Sequence, residues 1–523
     1  MAMQSHKITR AAGVVGSATL LSRILGYVRD MVIAYFFGTA DAADAFFVAF
    51  RIPNLFRRLF AEGSLTVAFI PIFTGYLVKE SKKNACEFAN TVFTFLSIIL
   101  VIFSCLGVVF SPFLVKIMAW GFADEKVKFE LTVLLTRIMF PYIFFISLVA
   151  LCMGVLNSLK HFAAPALAPV LLNLAMILSA IFLMPYFSQP ILALAFGVIL
   201  GGFLQLALQI PYLKKNGAGF KLNFNFSHPG LKKMAKLMLP AVLGAAVYQV
   251  NMVIITMIAS LLPAGSISYL YYSDRIFQFP LALFGLALAT ASLPAMSNQV
   301  AHNQMEELKD TLSHALRLIL FITIPAMVGL VVLRVPIVRI LFQRGAFAAD
   351  ATLLTAQALF WFAVGLWAVA GVRVVANVFY ALQDIWTPVK VAVISIIFNL
   401  AMCLVLMESM KHAGLALAVS LSSMLNLMIL ILVLRMRLGK LGIKKVIFSS
   451  VKILLSSTAM GIIVSLTYQN EFFVSKSFPM HDVIALCASI FSGVVVFALC
   501  SYILKSTELF SLWDSFKKGK HRQ

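Results

Sequence analysis

The chain has 523 residues, 62% of them hydrophobic and 12% charged, with a net charge of +22 and a mean hydropathy of +0.98. A soluble protein would carry about a quarter charged residues, so this composition excludes a soluble globular class and indicates a polytopic membrane protein. The basic excess sits largely in short loops and tails, where it sets topology, and no nucleic-acid partner is expected.

Apolar runs of about 20 residues recur along the chain, the length a hydrocarbon core near 30 Å demands. They lack the alternation of barrel strands, so the fold expected is all-α. Fourteen transmembrane helices are predicted, near 10–37, 45–77, 85–115, 129–157, 163–185, 190–213, 232–262, 267–298, 308–333, 351–380, 387–407, 413–435, 446–468 and 482–504. Preceding them, MAMQSHKITR reads as a cytoplasmic tail rather than a cleaved signal.

The first two spans carry charges where lipid-facing helices have none. LLSRILGYVRDMVIAYFFG holds Arg23, Arg29 and Asp30; DAFFVAFRIPNLFRRLFAEG holds Asp44, Arg51, Arg57, Arg58 and Glu62. A charge at the centre of a membrane helix costs about 2.5–3.5 kcal/mol on insertion scales, so a wet, functional environment is expected for them. Arginine offers phosphate a planar fork of donors and stays charged, and several together suit a pyrophosphate or another polyanion. Plainer readings remain open. Arg58 and Glu62 can pair four residues apart, and Arg29–Asp30 and Asp274–Arg275 lie near expected helix ends, where they can snorkel. Arg23 and Arg29, six apart, diverge by about 120° on a straight helix. Gly26 is the candidate hinge there, and Pro53, Gly63, Pro71 and Pro280 are candidate breaks in the charged helices.

Short-loop lysines and arginines fall after even-numbered spans, among them Lys79, Lys82, Lys83, Lys214, Lys215 and Lys221, whereas the first loop holds Asp41 and Asp44. Both termini are therefore expected in the cytoplasm. Arg334, Arg339 and Arg344 conflict with this unless VPIVRILFQRGAF is an amphipathic interfacial helix.

An internal repeat sets the architecture. PFLVKIMAWGFADEKVKFELT (112–132) matches VPIVRILFQRGAFAADATLLT (335–355) at an offset of 223, which also brings Pro165 to Pro388 and LALAF (192–196) to LALAV (415–419). With small gaps, RIPNLFRRLF (51–60) resembles RIFQFPLALF (275–284). The expected plan is two six-helix lobes, 1–223 and 224–440, related by a pseudo-two-fold axis along the membrane normal, with two further helices and a tail in 441–523. The second lobe keeps Asp274, Arg275 and Arg373 but has lost the counterparts of Arg57, Arg58 and Glu62, so the cationic site is expected to be asymmetric.

No Walker A, HExxH, CxxC or GxSxG motif occurs, and the six cysteines are scattered without pair spacing, so neither an enzyme nor a metal site is expected. His161, His302 and His412 read as interfacial.

At SRILGYVRD, DAFFVAFRIPNLFRRLFAEG, SYLYYSDRIFQFP and ALQDIWTPVK the chain resembles the MurJ (MviN) family of lipid II flippases, within the multidrug/oligosaccharidyl-lipid/polysaccharide exporter superfamily. The resemblance implies fourteen helices whose last pair lines a hydrophobic groove. It implies movement of undecaprenyl-pyrophosphate-linked peptidoglycan precursor from the cytoplasmic to the periplasmic leaflet by alternating access, in the bacterial inner membrane. It places central arginines at Arg23, Arg29, Arg57 and Arg275, supporting acids at Asp44, Glu62 and Asp274, and a basic position at Arg373; Arg51 is added on its own position. The partners implied are lipid II, membrane lipids and cell-wall synthesis proteins. No cofactor is implied, and coupling to the membrane potential or to a monovalent cation is open. Some relatives bind sodium through acids on the seventh and eleventh helices. Here VLGAAVYQVNMVII has no acid, and Asp384 precedes the eleventh helix. Two other readings are a drug/cation antiporter of the same superfamily, which predicts an acid-lined cavity, and a non-transporting scaffold of cell-wall assembly, which requires no arginines at membrane depth.

Overall fold

The computed structural model describes residues 2–59, 65–469, 479–511 and 513. The described residues form helices and turns, with no strand among them. In chain order the helices are α1 Ala2–Phe37, α2 Asp41–Phe56, α3 Thr66–Lys79, α4 Lys82–Val109, α5 Ser111–Met118, α6 Lys126–Met139, α7 Tyr142–Ser158, α8 Ala163–Phe182, α9 Leu192–Lys215 and α10 Pro229–Ala259. There follow α11 Ser266–Pro280, α12 Leu286–Ala301, α13 Met305–Val332, α14 Arg334–Phe342, α15 Ala349–Val364, α16 Leu366–Ala381, α17 Trp386–Leu438, α18 Ile443–Gln469 and α19 Pro479–Ile503. Among the described residues, nine helical stretches are long and apolar enough to cross a membrane.

The repeat is visible in where helices begin and end. α4 and α13 start at 82 and 305 and stop at 109 and 332; α6 and α15 start at 126 and 349; α7 and α16 stop at 158 and 381. Each pair is 223 residues apart. α17 turns through Lys411, at φ 50°, so its two arms correspond to α8 and α9, and α9 and α17 end at 215 and 438.

Three expected spans are broken rather than continuous. The 85–115 span breaks after Val109, and Pro112 opens α5. The 129–157 span breaks at Phe140–Pro141, and 351–380 at Gly365. Proline at a break removes an amide donor that a continuous helix needs. The segment VPIVRILFQRGAF does begin as a short helix, α14, matching α5 in the first repeat.

The charged helices loosen at equivalent places. Pro53 lies inside α2, and residues 57–59 widen into a π-type turn; the Arg57 N–H is shared between the Asn54 and Pro53 carbonyls. Pro280 ends α11, and Leu281–Gly285 widens in the same way before α12. Such turns follow from a missing amide donor and recur at functional sites. α1, in contrast, runs through Gly26 as one helix.

The chain forms two compact units. One comprises 1–268 with 344–347, the other 269–343 with 348–523. The first has an aromatic core of Phe69, Phe73 and Phe88 against Leu151 and Val155, with the Phe69 ring stacked 5.3 Å from Phe73 and 5.5 Å from Phe88. In the second, Met460 and Val464 of α18 pack with Leu333 and Phe497, and a Cβ at Gly493 would lie 2.6 Å from Val464. Small residues let α18 and α19 approach this closely. Their other faces expose Phe448, Leu455, Leu466, Phe491 and Val494, an apolar surface suited to lipid.

Candidate functional site

Within the first unit the charged residues fall into three states. Arg29 is buried, 5% exposed, and already engaged. Its Nη2 donates to Asp30 Oδ1 at 2.7 Å and its Nη1 to Asn173 Oδ1 at 3.0 Å, while Asn173 Nδ2 donates to the Ser22 carbonyl at 3.0 Å. Gly26 sits against Asn173, so its missing side chain helps α8 reach α1. The six-residue spacing thus sends Arg29 toward α8, and Arg23 is about 120° away around the helix. Arg51, half-buried, donates to Thr256 Oγ1 of α10.

Arg23 is the contrast. It is half-buried and makes no hydrogen bond or ion pair with any described residue. Arg57 is half-buried in the widened turn that follows Pro53; Arg58 beside it is exposed. Glu62 and Gly63 lie outside the described residues. Pro71 is inside α3 without ending it.

Asp44 is the most heavily bonded acid. It is 1% exposed and accepts from Gly265 N at 2.8 Å, Ser268 N at 2.9 Å and Ser268 Oγ at 2.6 Å. Lys128 Nζ lies 3.5 Å from Asp44 Oδ2 and 2.7 Å from Asp41 Oδ1, and 4.4 Å from the Phe122 ring centre. One carboxylate therefore ties α2 to the start of α11 and to α6. Close by in sequence, Ala346 N donates to the Tyr35 carbonyl at 2.8 Å, and Gly121 N to Ser260 Oγ at 3.0 Å. Gly38 has φ +57°, and a Cβ there would meet the Ala346 carbonyl oxygen at 2.3 Å. Only glycine fits both demands. Gly38→Ala is expected to destabilise the protein by more than about 2 kcal/mol, read as a lowered thermal midpoint in detergent.

In the second unit, Asp274 accepts from Gln278 Nε2 at 2.5 Å, and the Arg275 guanidinium lies 5.8 Å from the Tyr271 ring centre. Arg373 on α16 is exposed and makes no hydrogen bond or ion pair with any described residue. Asp384 closes the turn between α16 and α17. It accepts from Thr387 Oγ1 and from Arg437 Nη1, each at 2.5 Å, and these bonds, Thr387's first, hold its carboxyl at about 2. Its folded pKa lies below the unfolded value, so the clasp's contribution is present above about pH 4 and is lost as pH falls toward about 2. Among the described residues no three His, Cys, Asp or Glu are grouped to hold a metal.

Sequence reasoning missed Lys128, Asn173, Thr256 and Ser268. Lys128 was visible only as one of two lysines among the acids of DEKVKFELT; the other three are uncharged and gave no signal.

Comparison with known proteins places this arrangement. A family model described as lipid II flippase MurJ matches residues 33–483. The chain is 38% identical over 499 residues to a probable lipid II flippase MurJ of Rickettsia prowazekii, covering 95% of this chain and 97% of that one. It is 39% identical over 457 residues to that of Haemophilus influenzae, covering 85% and 89%. Its structure is similar to a lipid II flippase MurJ in an inward closed conformation, with TM-score 0.77, 27% identity, and 94% and 98% of the two chains covered. It is also similar to an inward-facing multidrug MATE transporter of the MOP superfamily, with TM-score 0.66, 15% identity, and 82% and 99% covered. That second likeness is one of fold.

Proposed function

The chain belongs to the lipid II flippase MurJ family, and from that premise we propose that it flips lipid II from the cytoplasmic to the outer leaflet of the bacterial inner membrane by alternating access. The observation that carries the proposal is Arg23: a half-buried arginine on a membrane helix, without a hydrogen-bond or ion-pair partner among the described residues, beside Arg29 and Arg51, which have one. An uncompensated charge there is costly, and a pyrophosphate would compensate it. Arg23 and Arg57 bind the headgroup, with Arg275 and Arg373 as the second lobe's contribution. Arg29 and Arg51 exchange protein partners for phosphate as the transporter changes state. The hydrocarbon tail stays in lipid along the apolar faces of α18 and α19.

Both termini face the cytoplasm, and the fourteen-span topology puts Asp44 at the outward end. The Asp44 bonds to Gly265 and Ser268 brace α2 against the start of α11 there, and the widened turns after Pro53 and Pro280 are where the helices bend. Depletion tests the function. Loss of the protein should leave lipid II in the inner leaflet; normal outer-leaflet precursor, with no redundant flippase present, overturns it. The cationic first lobe argues against a drug/cation antiporter, which needs acids to hold its substrate.

Drive can come from the membrane potential, worth about 2.3 kcal/mol per charge per 100 mV. With the inside negative, the field favours outward movement of the anionic headgroup. Collapsing the potential while ion gradients are held should slow reconstituted transport. An unchanged rate would leave coupling to a monovalent cation as the remaining route.

A further inference from the structure

A cavity of about 530 Å³ lies away from the arginines, where the first turns of α4 meet the loop after α9. Lys82, Lys83 and Lys221 line it, with Cys86, Asn90 and one acid, Glu87. None of the three ammonium groups makes an ion pair or side-chain hydrogen bond with a described residue. Lys82 and Lys83 also stand in the first turn of a helix that has no acid there, where the helix dipole opposes positive charge. The three lysines are exposed and hydrated, so what an anion in the cavity relieves is the dipole penalty and the repulsion among the ammonium groups.

The loop is built onto α4 rather than draped over it. Lys221 N donates to Asn90 Oδ1 at 3.0 Å, Asn223 N to Thr94 Oγ1 at 2.9 Å, and the Phe220 ring stacks on Phe93 at 4.4 Å. Next to Lys221 the loop exposes Leu222 and Phe224, 69% and 63% exposed. Further along, α4 exposes Ile98, Ile99 and Ile102, the stripe of a lipid-facing helix. A row of cations bordered by exposed apolar side chains is the arrangement of a membrane–water boundary.

We propose that the cavity formed by Lys82, Lys83 and Lys221 is a binding site for a phosphate group, supplied by the headgroup of an anionic membrane phospholipid. The phosphodiester sits among the three ammonium groups, and the acyl chains run past Leu222 and Phe224. The site shares no lining residue with the arginine set and does not rest on the function proposed above.

Cys86 reports occupancy directly. Full-length protein in nanodiscs of phosphatidylcholine, with or without phosphatidylglycerol, is treated with N-ethylmaleimide, and alkylation of Cys86 is followed by mass spectrometry. Cys105 and Cys487, which lie on the lipid-facing spans α4 and α19, serve as background controls of low reactivity. Phosphatidylglycerol should slow Cys86 and leave the controls unchanged. The variant K82Q/K83Q/K221Q should need about a hundredfold more phosphatidylglycerol for the same protection, from about one power of five per lysine. K214Q/K215Q, which removes charges outside the cavity, should keep the protection. Inorganic phosphate in phosphatidylcholine nanodiscs separates the sources. Protection by phosphate equal to that by the lipid overturns the membrane source. Absence of protection by phosphatidylglycerol in the wild type, or equal loss of protection in both variants, overturns the site.

Discussion

Arg23→Ala is expected to lower lipid II transport by about ten- to a hundredfold while leaving the protein folded. A hydrogen bond to a charged group is worth about 1.5–3 kcal/mol, and each 1.4 kcal/mol is a factor of ten. Because Arg23 makes no bond to described protein groups, its removal takes nothing from the fold that the structure shows. Membrane levels and the thermal midpoint should match wild type, and complementation of a depleted strain should fail. Arg23→Lys keeps the charge but loses the bidentate fork and should fall between the two. Arg58→Ala, at an exposed position beside Arg57, should matter far less. Full complementation by Arg23→Ala at wild-type levels would remove Arg23 from the site.

Asp44→Ala should do the opposite, damaging the structure as well as transport. It strips the acceptor from Gly265 N, Ser268 N and Ser268 Oγ, and leaves the buried Lys128 with the exposed Asp41 as its ion-pair partner. Removing one partner of a buried charged pair costs about 3–5 kcal/mol. A lowered thermal midpoint is expected. Ser268→Cys on an Asp44→Asn background should also be labelled faster by an impermeant thiol reagent than Ser268→Cys alone, as the bonds that keep the start of α11 buried against α2 weaken. Equal labelling would show that the Asp44 bonds are not what keeps Ser268 buried.

What the residues disclosed beforehand follows from the kind of signal each carried. Span positions and the repeat were legible because hydropathy and proline placement are local, and the offset of 223 survives in the paired helix ends of α4 with α13 and α9 with α17. The internal breaks at Phe110, Phe140–Pro141 and Gly365 were not resolved by hydropathy, which stays high across them; Pro112 and Pro141 were the available warnings for the first two. Charges in apolar helices were conspicuous, but their pairing was not. Whether Arg29 meets Asn173, or Asp44 meets Ser268, depends on contacts between residues 144 and 224 positions apart. Periodicity carries no information at that range, so Arg23 and Arg29 looked alike in sequence and differ in the fold.

The most direct measurement uses purified protein in liposomes loaded with lipid II in both leaflets. The outer-leaflet fraction is read with an impermeant enzyme or label that attacks the exposed headgroup, with an inside-negative potential imposed. The expected result is rapid access to the full lipid II pool with wild type, and access about ten- to a hundredfold slower with Arg23→Ala. Access that stops at the outer leaflet with wild type, or that is equally fast with Arg23→Ala, would contradict the account.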